Sequence, residues 1–268
     1  MSTKPTTKVR RHNAVLRAAE KRAQELEPKL AKLLAPILSG AGLTAARGFR
    51  AAVTDHVTAS GEPTPWSPPA ADEVLDVDAL VANLRKKTDP VRRAMIETVM
   101  TATLDGAGID FEVTNPFAGR VLAQSGAHVR NIAETTQLNV MRIVKASYEQ
   151  GLSIADTAKA IRSGMAAAAA EERAVTIARS ELAAAVNGGA LAATQIVASA
   201  TGTTYSKQWV STPDERTRES HSAANGQVVG LNDYFDVGGA ALQHPGDPDG
   251  PPDETVSCRC TCTFQEGP

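Results

Sequence analysis

Two short stretches hold most of the residues able to do chemistry. STPDERTRESHSAANGQVV (211–229) brings together Asp214, Glu215, Arg216, Arg218 and His221, and SCRCTCTF near the end supplies Cys258, Cys260 and Cys262. One histidine and two thiolates make a plausible zinc set. Geometry argues for caution, because residues i and i+2 of a flat strand carry side chains about 7 Å apart. Two thiolates on one tetrahedral zinc must lie about 3.8 Å apart. Cys258 and Cys260 can therefore chelate only where the strand bends or ends. Two readings stay open at this point. One is a structural zinc on His221, Cys258 and Cys260, with Asp214 as a further candidate. The other is a packed, hydrogen-bonded histidine beside reduced thiols.

The arginines allow two chemistries as well. Asp214, Arg216 and Arg218 have even spacing, which places them on one face of an extended chain. A guanidinium fork suits carboxylates, backbone carbonyls and phosphates alike. The favoured reading is a structural polar cluster of Asp214, Arg216, Arg218, Asp247 and Arg259, with buried ion pairs to Glu181 or Asp247 tying the long helix to the sheet. Phosphate contact is the alternative. In HPGDPDGPPDE (244–254), Pro245-Gly246 suits a tight turn, and Asp247 can accept backbone or arginine hydrogen bonds. Asp214, Glu215 and His221 could supply a catalytic base and zinc an activated water. No phosphate-cradling glycine loop accompanies them, so no enzymatic activity is expected.

Charge is unevenly spread along the 268 residues, whose net charge is −2. Residues 1–50 carry eleven Lys or Arg against three Glu, a net of +8, whereas residues 201–268 carry four basic and ten acidic side chains, a net of −6. Lys4, Lys8, Arg10, Arg11, Arg17, Lys21 and Arg22 crowd the first 22 positions. Such a segment fits packaged DNA through phosphate contacts, or an acidic partner. Three cysteines at i, i+2, i+4 make a poor disulfide framework and read as reduced thiols. No run approaches the roughly 18 apolar residues of a membrane span, and the N-terminus lacks an apolar signal core. Folding in the cytoplasm and no membrane partner are expected.

These groups must be positioned by helices and a small sheet. Leu16, Ala19, Ala23, Leu26, Leu30, Leu33 and Ile37 step by three and four, a helical seam that Pro28 should kink or break near Glu27. Residues 60–73, with four prolines, read as a linker in which Trp66 anchors the segment to a surface. Asp89-Pro90 and Asn115-Pro116 look like helix starts. A helix over about 127–150 should stop at Gly151, and SIAD (153–156) should cap the next. A last long helix over about 167–199 carries Gly188 and Gly189, which let another backbone approach. After Thr201, short β-branched and aromatic runs separated by turn residues predict a small sheet around Trp209. The class is α+β, a mainly helical N-terminal body with a small C-terminal antiparallel β-containing domain. The expected divisions are a basic helical arm (1–59), a Pro-rich linker (60–75), a helical region (76–150) and a C-terminal domain (151–266).

GLSIADTAKAI, RAVTIARSELAAAVNGGAL, Trp209, DERTRESH, Gly226, Phe235, Gly239, PGDP and CRC follow one another in a familiar order. Together they resemble the phage head morphogenesis (phage Mu protein F-like) minor capsid proteins over roughly 150–262. The resemblance implies a virion protein made in the host cytoplasm and housed inside the capsid near the portal. Its implied partners are the portal protein and the major capsid or scaffold protein. It implies no enzymatic activity and no cofactor, a structural zinc being the one alternative. The rival function is a zinc-dependent hydrolase acting on nucleic acid or peptidoglycan.

Overall fold

The computed structural model describes residues 7–60, 66–109, 119–121, 123 and 127–267. Its elements are α1 (Thr7–Ser60), α2 (Ala71–Val74), α3 (Val77–Ala107), α4 (Ala127–Glu149), α5 (Ile154–Gly164), α6 (Ala167–Thr201), β1 (Tyr205–Val210), α7 (Glu219–Ala224), β2 (Val228–Gly230), β3 (Phe235–Val237), β4 (Ala240–Leu242), α8 (Pro252–Thr255) and β5 (Thr261–Glu266). Long helices followed by a small antiparallel strand region make the α+β class of the sequence reading.

Two prolines do not act as the sequence suggests. α1 runs unbroken through Pro28, and α3 runs through Pro90, so Asp89 caps no new helix. Asp89 instead sits 3.2 Å from Arg92 within the same helix. An interior proline costs about 3 kcal/mol. Burial on both sides offsets it: Leu16, Ala19 and Ala23 lie before Pro28, and Leu30, Leu34 and Leu38 after it. Each fully buried leucine contributes about 1.5–3 kcal/mol. The seam also drifts. Leu33 is 48% exposed, while Leu34 and Leu38 are fully buried, and the stripe continues through Ala41, Ala45, Phe49 and Val53. A strict heptad demands supercoiling, whereas this longer step keeps one stripe inward on a straighter helix.

Other signals act as expected. Gly151, at φ +66°, ends α4. Ser153 caps α5, its Oγ accepting from the Asp156 N–H at 3.1 Å. The Asn115-Pro116 signal lies outside the described residues. α6 departs from expectation in one respect, since Ala169–Thr201 is long and apolar enough by composition to cross a membrane. Yet 72% of the 18-residue window that meets this test is buried inside the protein, so the helix serves as a core helix here. Gly189 faces Ile96 of α3, where a Cβ would make only an ordinary 3.6 Å contact, and the tighter position is Gly188, whose Cβ would come within 3.2 Å of His244 Nε2.

The chain forms two compact units, each drawn from separated segments. One comprises Leu30–Lys87 and Val129–Val175. Within it, Trp66 anchors the proline-rich segment, stacked edge-on against Phe49 and Tyr148 at 5.2 and 5.3 Å. Its indole N–H donates to the Leu152 carbonyl at 3.0 Å. Gly48 lets the chain at Val74 pass, since a Cβ there would come within 2.5 Å of the Val74 carbonyl oxygen.

The other unit comprises Met1–Lys29, Thr88–His128 and Thr176–Pro268. Its sheet has the order β2-β1-β5, all antiparallel, with Trp209 opposite Cys262 and Lys207 opposite Phe264. Period-two alternation turns these four side chains inward, and all are buried. β3 and β4 form a separate hairpin over Gly238-Gly239, whose φ values of +62° and +85° suit a two-residue turn that side chains would strain. Trp209 is the hub of this core, edge-on to Phe235 at 5.4 Å and to His221 at 5.5 Å. Asn13 of α1 joins it, its side-chain oxygen accepting from the Phe264 N–H at 3.3 Å.

Candidate functional site

Cys258 and Cys260 lie not on β5 but in the irregular segment between α8 and that strand. Ser257, just before them, adopts φ +56°, a left-handed conformation uncommon for a residue with a Cβ. Its N–H donates to the Ser180 hydroxyl of α6 at 2.8 Å, which holds the bend. The flat-strand separation of the two sulfurs therefore does not apply.

His221 reaches the same point from α7 and is buried. Its Nδ1 lies 3.3 Å from the Cys260 Sγ and 3.8 Å from the Cys258 Sγ. Its Nε2 lies 3.0 Å from Glu254 Oε2, an oxygen that also accepts from the Ser220 hydroxyl at 2.8 Å. Among the described residues, His221, Cys258 and Cys260 form the one group of this kind with ligand atoms all within 4.8 Å of one another. Hydrogen bonding between the two sulfurs pulls the Cys260 thiol down and pushes the Cys258 thiol up. Burial alone would lower His221. The hydrogen bond to Cys260 and the attraction of Cys260 and Glu254 outweigh burial and raise it.

Cys262 stands apart. It lies on β5 and faces Asn187 of α6, and burial pushes its thiol up to about 12. It packs as a small apolar side chain, which explains why no ligand role attaches to it.

The charged cluster takes a different form from the expected one. Residues 211–218 are turns and irregular chain, not an extended face. Asp214 is gripped by both terminal nitrogens of Arg259, which hold its carboxyl below the usual carboxylate range. The Arg216 side chain is 75% exposed, with its guanidinium 3.9 Å from Asp214. Arg218 donates to the Val256 carbonyl at 2.7 Å and so braces the approach to the cysteines. Asp247 accepts from the backbone N–H groups of Gln243 and Asp249, at 2.8 and 3.0 Å, and shapes its own turn.

Glu181 is buried, as the sequence suggested, but its partner at 2.8 Å is Arg92 of α3. Sequence reasoning missed Arg92. The signal was present: Arg92 shares a helical stripe with Thr88, Met95, Ile96 and Val99, all buried. A charge inside an apolar stripe implies a buried partner.

Beside the cysteines opens a cleft of about 290 Å³, lined among others by Glu20, Glu27, Arg179, Asn187, Cys258 and Cys260. Arg179 closes one side by a two-pronged contact with Glu27 at 2.6 and 3.2 Å. Along α1, Arg10, Arg11, Arg17, Lys21 and Arg22 are exposed, and Arg22 pairs with Glu25 at 3.3 Å. Steps of seven and four place Arg10, Arg17 and Lys21 in one stripe. Lys8 lies on the first turn of α1, and Lys4 lies outside the described residues.

No curated protein and no solved structure matches the chain. A family model described as Phage Mu protein F like protein matches residues 139–263, from the middle of α4 to β5. That range contains the Trp209 core, the His221 cluster and the Asp214–Arg259 pair. This region, just under half of the chain, is similar to the Mu protein F-like phage proteins, a family of head morphogenesis and minor capsid proteins.

Proposed function

We propose that the protein is a structural adaptor of the phage head, placed inside the capsid near the portal. Its family-matched region forms the compact anchor, and its N-terminal helix makes contacts with the portal, the shell or packaged DNA. The observation that carries this reading is the family match over residues 139–263. The exposed stripe of Arg10, Arg17 and Lys21 supports the DNA contact, because phosphate neutralisation needs cations on an accessible face. Against the hydrolase stands the placement of Glu254. It is the carboxylate at His221, yet it lies beside the ring nitrogen opposite the sulfurs, away from the face of the cluster where proton transfer would be needed.

Charge reversal tests the reading better than truncation does. Residues 1–22 include the buried Leu16 and Ala19, so removing them would damage the core. The triple variant Arg10→Glu, Arg17→Glu, Lys21→Glu should fold normally and lose DNA binding, with the salt dependence of binding flattened. Unchanged binding across a salt titration removes the DNA contact. Normal infectious heads formed without this chain would remove the adaptor role.

A further inference from the structure

We propose that His221, Cys258 and Cys260 bind one zinc ion, which fastens α7 to the bend before β5. Three independent features of the geometry carry this. The first is size. A tetrahedral zinc with one nitrogen at about 2.05 Å and sulfurs at about 2.3 Å sets each nitrogen–sulfur edge near 3.6 Å. The two such edges here are 3.3 and 3.8 Å, with the ring nitrogen facing both sulfurs.

The second feature is the outer shell. Glu254, itself held by Ser220, lies 3.0 Å from the far ring nitrogen as a charge partner outside hydrogen-bond alignment, and its charge favours the proton on that nitrogen, leaving the other free for a metal. Arg218 secures the Val256 carbonyl two residues before the first ligand. Each partner is anchored without using an atom the ion would need.

The third is charge and ligand type. All three residues are buried. Two thiolates and a neutral imidazole balance a divalent ion in charge, so the buried site holds no uncompensated charge once the ion is bound. Soft sulfur and imidazole donors select zinc over calcium or magnesium. Three protein donors leave one of four positions, which water from the adjoining cleft fills, since Cys258 and Cys260 line it. The ion closes the chain between residues 221 and 258 and steadies a small core whose single tryptophan touches His221. Cys262 has no part in it.

This inference does not depend on the role in the head, and the two fail separately. The test uses the full chain, produced without an affinity tag in zinc-supplemented medium and analysed for metal. One zinc per chain is expected in wild type and in Cys262→Ser. Loss is expected in His221→Ala and in the double variant Cys258→Ser, Cys260→Ser. Chelation should lower the melting temperature by about 10 °C or more, with recovery on adding zinc. Should the ligand variants fail to fold, cobalt substitution of wild type decides. Intense visible bands with a sulfur-to-cobalt charge-transfer band support the site, and weak octahedral bands overturn it. Folded protein with less than about a tenth of an equivalent of zinc, and melting unmoved by zinc or chelator, also overturns it. So does a Cys258–Cys260 disulfide, seen as a mass two hydrogens lower.

Discussion

Two ion pairs in the same compact unit show how differently a charge behaves with depth. Arg92 and Glu181 join α3 to α6 at 2.8 Å, with side-chain exposures of 2% and 0%. Asp214 and Arg259 join a turn to the segment before β5 and reach solvent. Both are well-formed contacts. In the interior, neither partner has water to fall back on, so the pair must be complete or very costly. At the surface, water and salt compete for each charge, and the same contact contributes little. Contact geometry alone therefore does not rank the two, whereas burial does.

The sharpest break comes from Arg92→Ala, which leaves Glu181 buried beside a void. A loss of about 3–5 kcal/mol is expected, measured by urea unfolding. Replacing both partners with apolar residues, Arg92→Met with Glu181→Leu, should recover much of it, and Asp214→Ala with Arg259→Ala should show no comparable pattern. A single-variant cost well below that range would erase the contrast between the two pairs.

Acid tests the same idea with a group buried neutral. His12 of α1 lies 3.2 Å from the Thr194 hydroxyl and edge-on to Phe264, and burial lowers its pKa to about 4. Its folded value is below the unfolded 6.5, so the unfolded state binds the proton first. Stability is then full above pH 6.5 and falls as pH drops from there towards 4, by about 2 kcal/mol at pH 5. Equilibrium unfolding of wild type and His12→Gln at pH 7 and pH 5 should show a loss larger by about 2 kcal/mol in wild type, since His128 and His244, also lowered by burial, act in both.

Smaller effects belong to the surface arginines. Arg218→Ala removes a charged hydrogen bond to the Val256 carbonyl and should cost about 1.5–3 kcal/mol. Arg216→Ala should change stability by less than about 0.5 kcal/mol, because its guanidinium is largely in water. A melting temperature that falls equally in both variants would show that exposure fails to separate them.

Much of the architecture was legible from local chemistry. Ser153 with Asp156, Gly151, the step of α6 and the alternation around Trp209 each act within a few residues, where chain geometry leaves few choices. The prolines were misread because their cost is local while the burial that offsets it comes from segments distant in sequence. Glu181 was recognisable as a buried acceptor, but its donor lies 89 residues away, and spacing is silent on such a pairing.

The same division runs through the site. Sequence alone determined which atoms are available, namely one imidazole, two neighbouring thiols and a run of arginines near a small aromatic core, and it carried the order of motifs that marks the family. Whether those atoms meet was a tertiary decision. It rested on Ser257, turned into a left-handed bend and held by Ser180 of α6, because that bend brings Cys258 and Cys260 to His221. A residue's type fixes what bonds it can make, but its partners are fixed by folding, which alone sets the distance and the water between them.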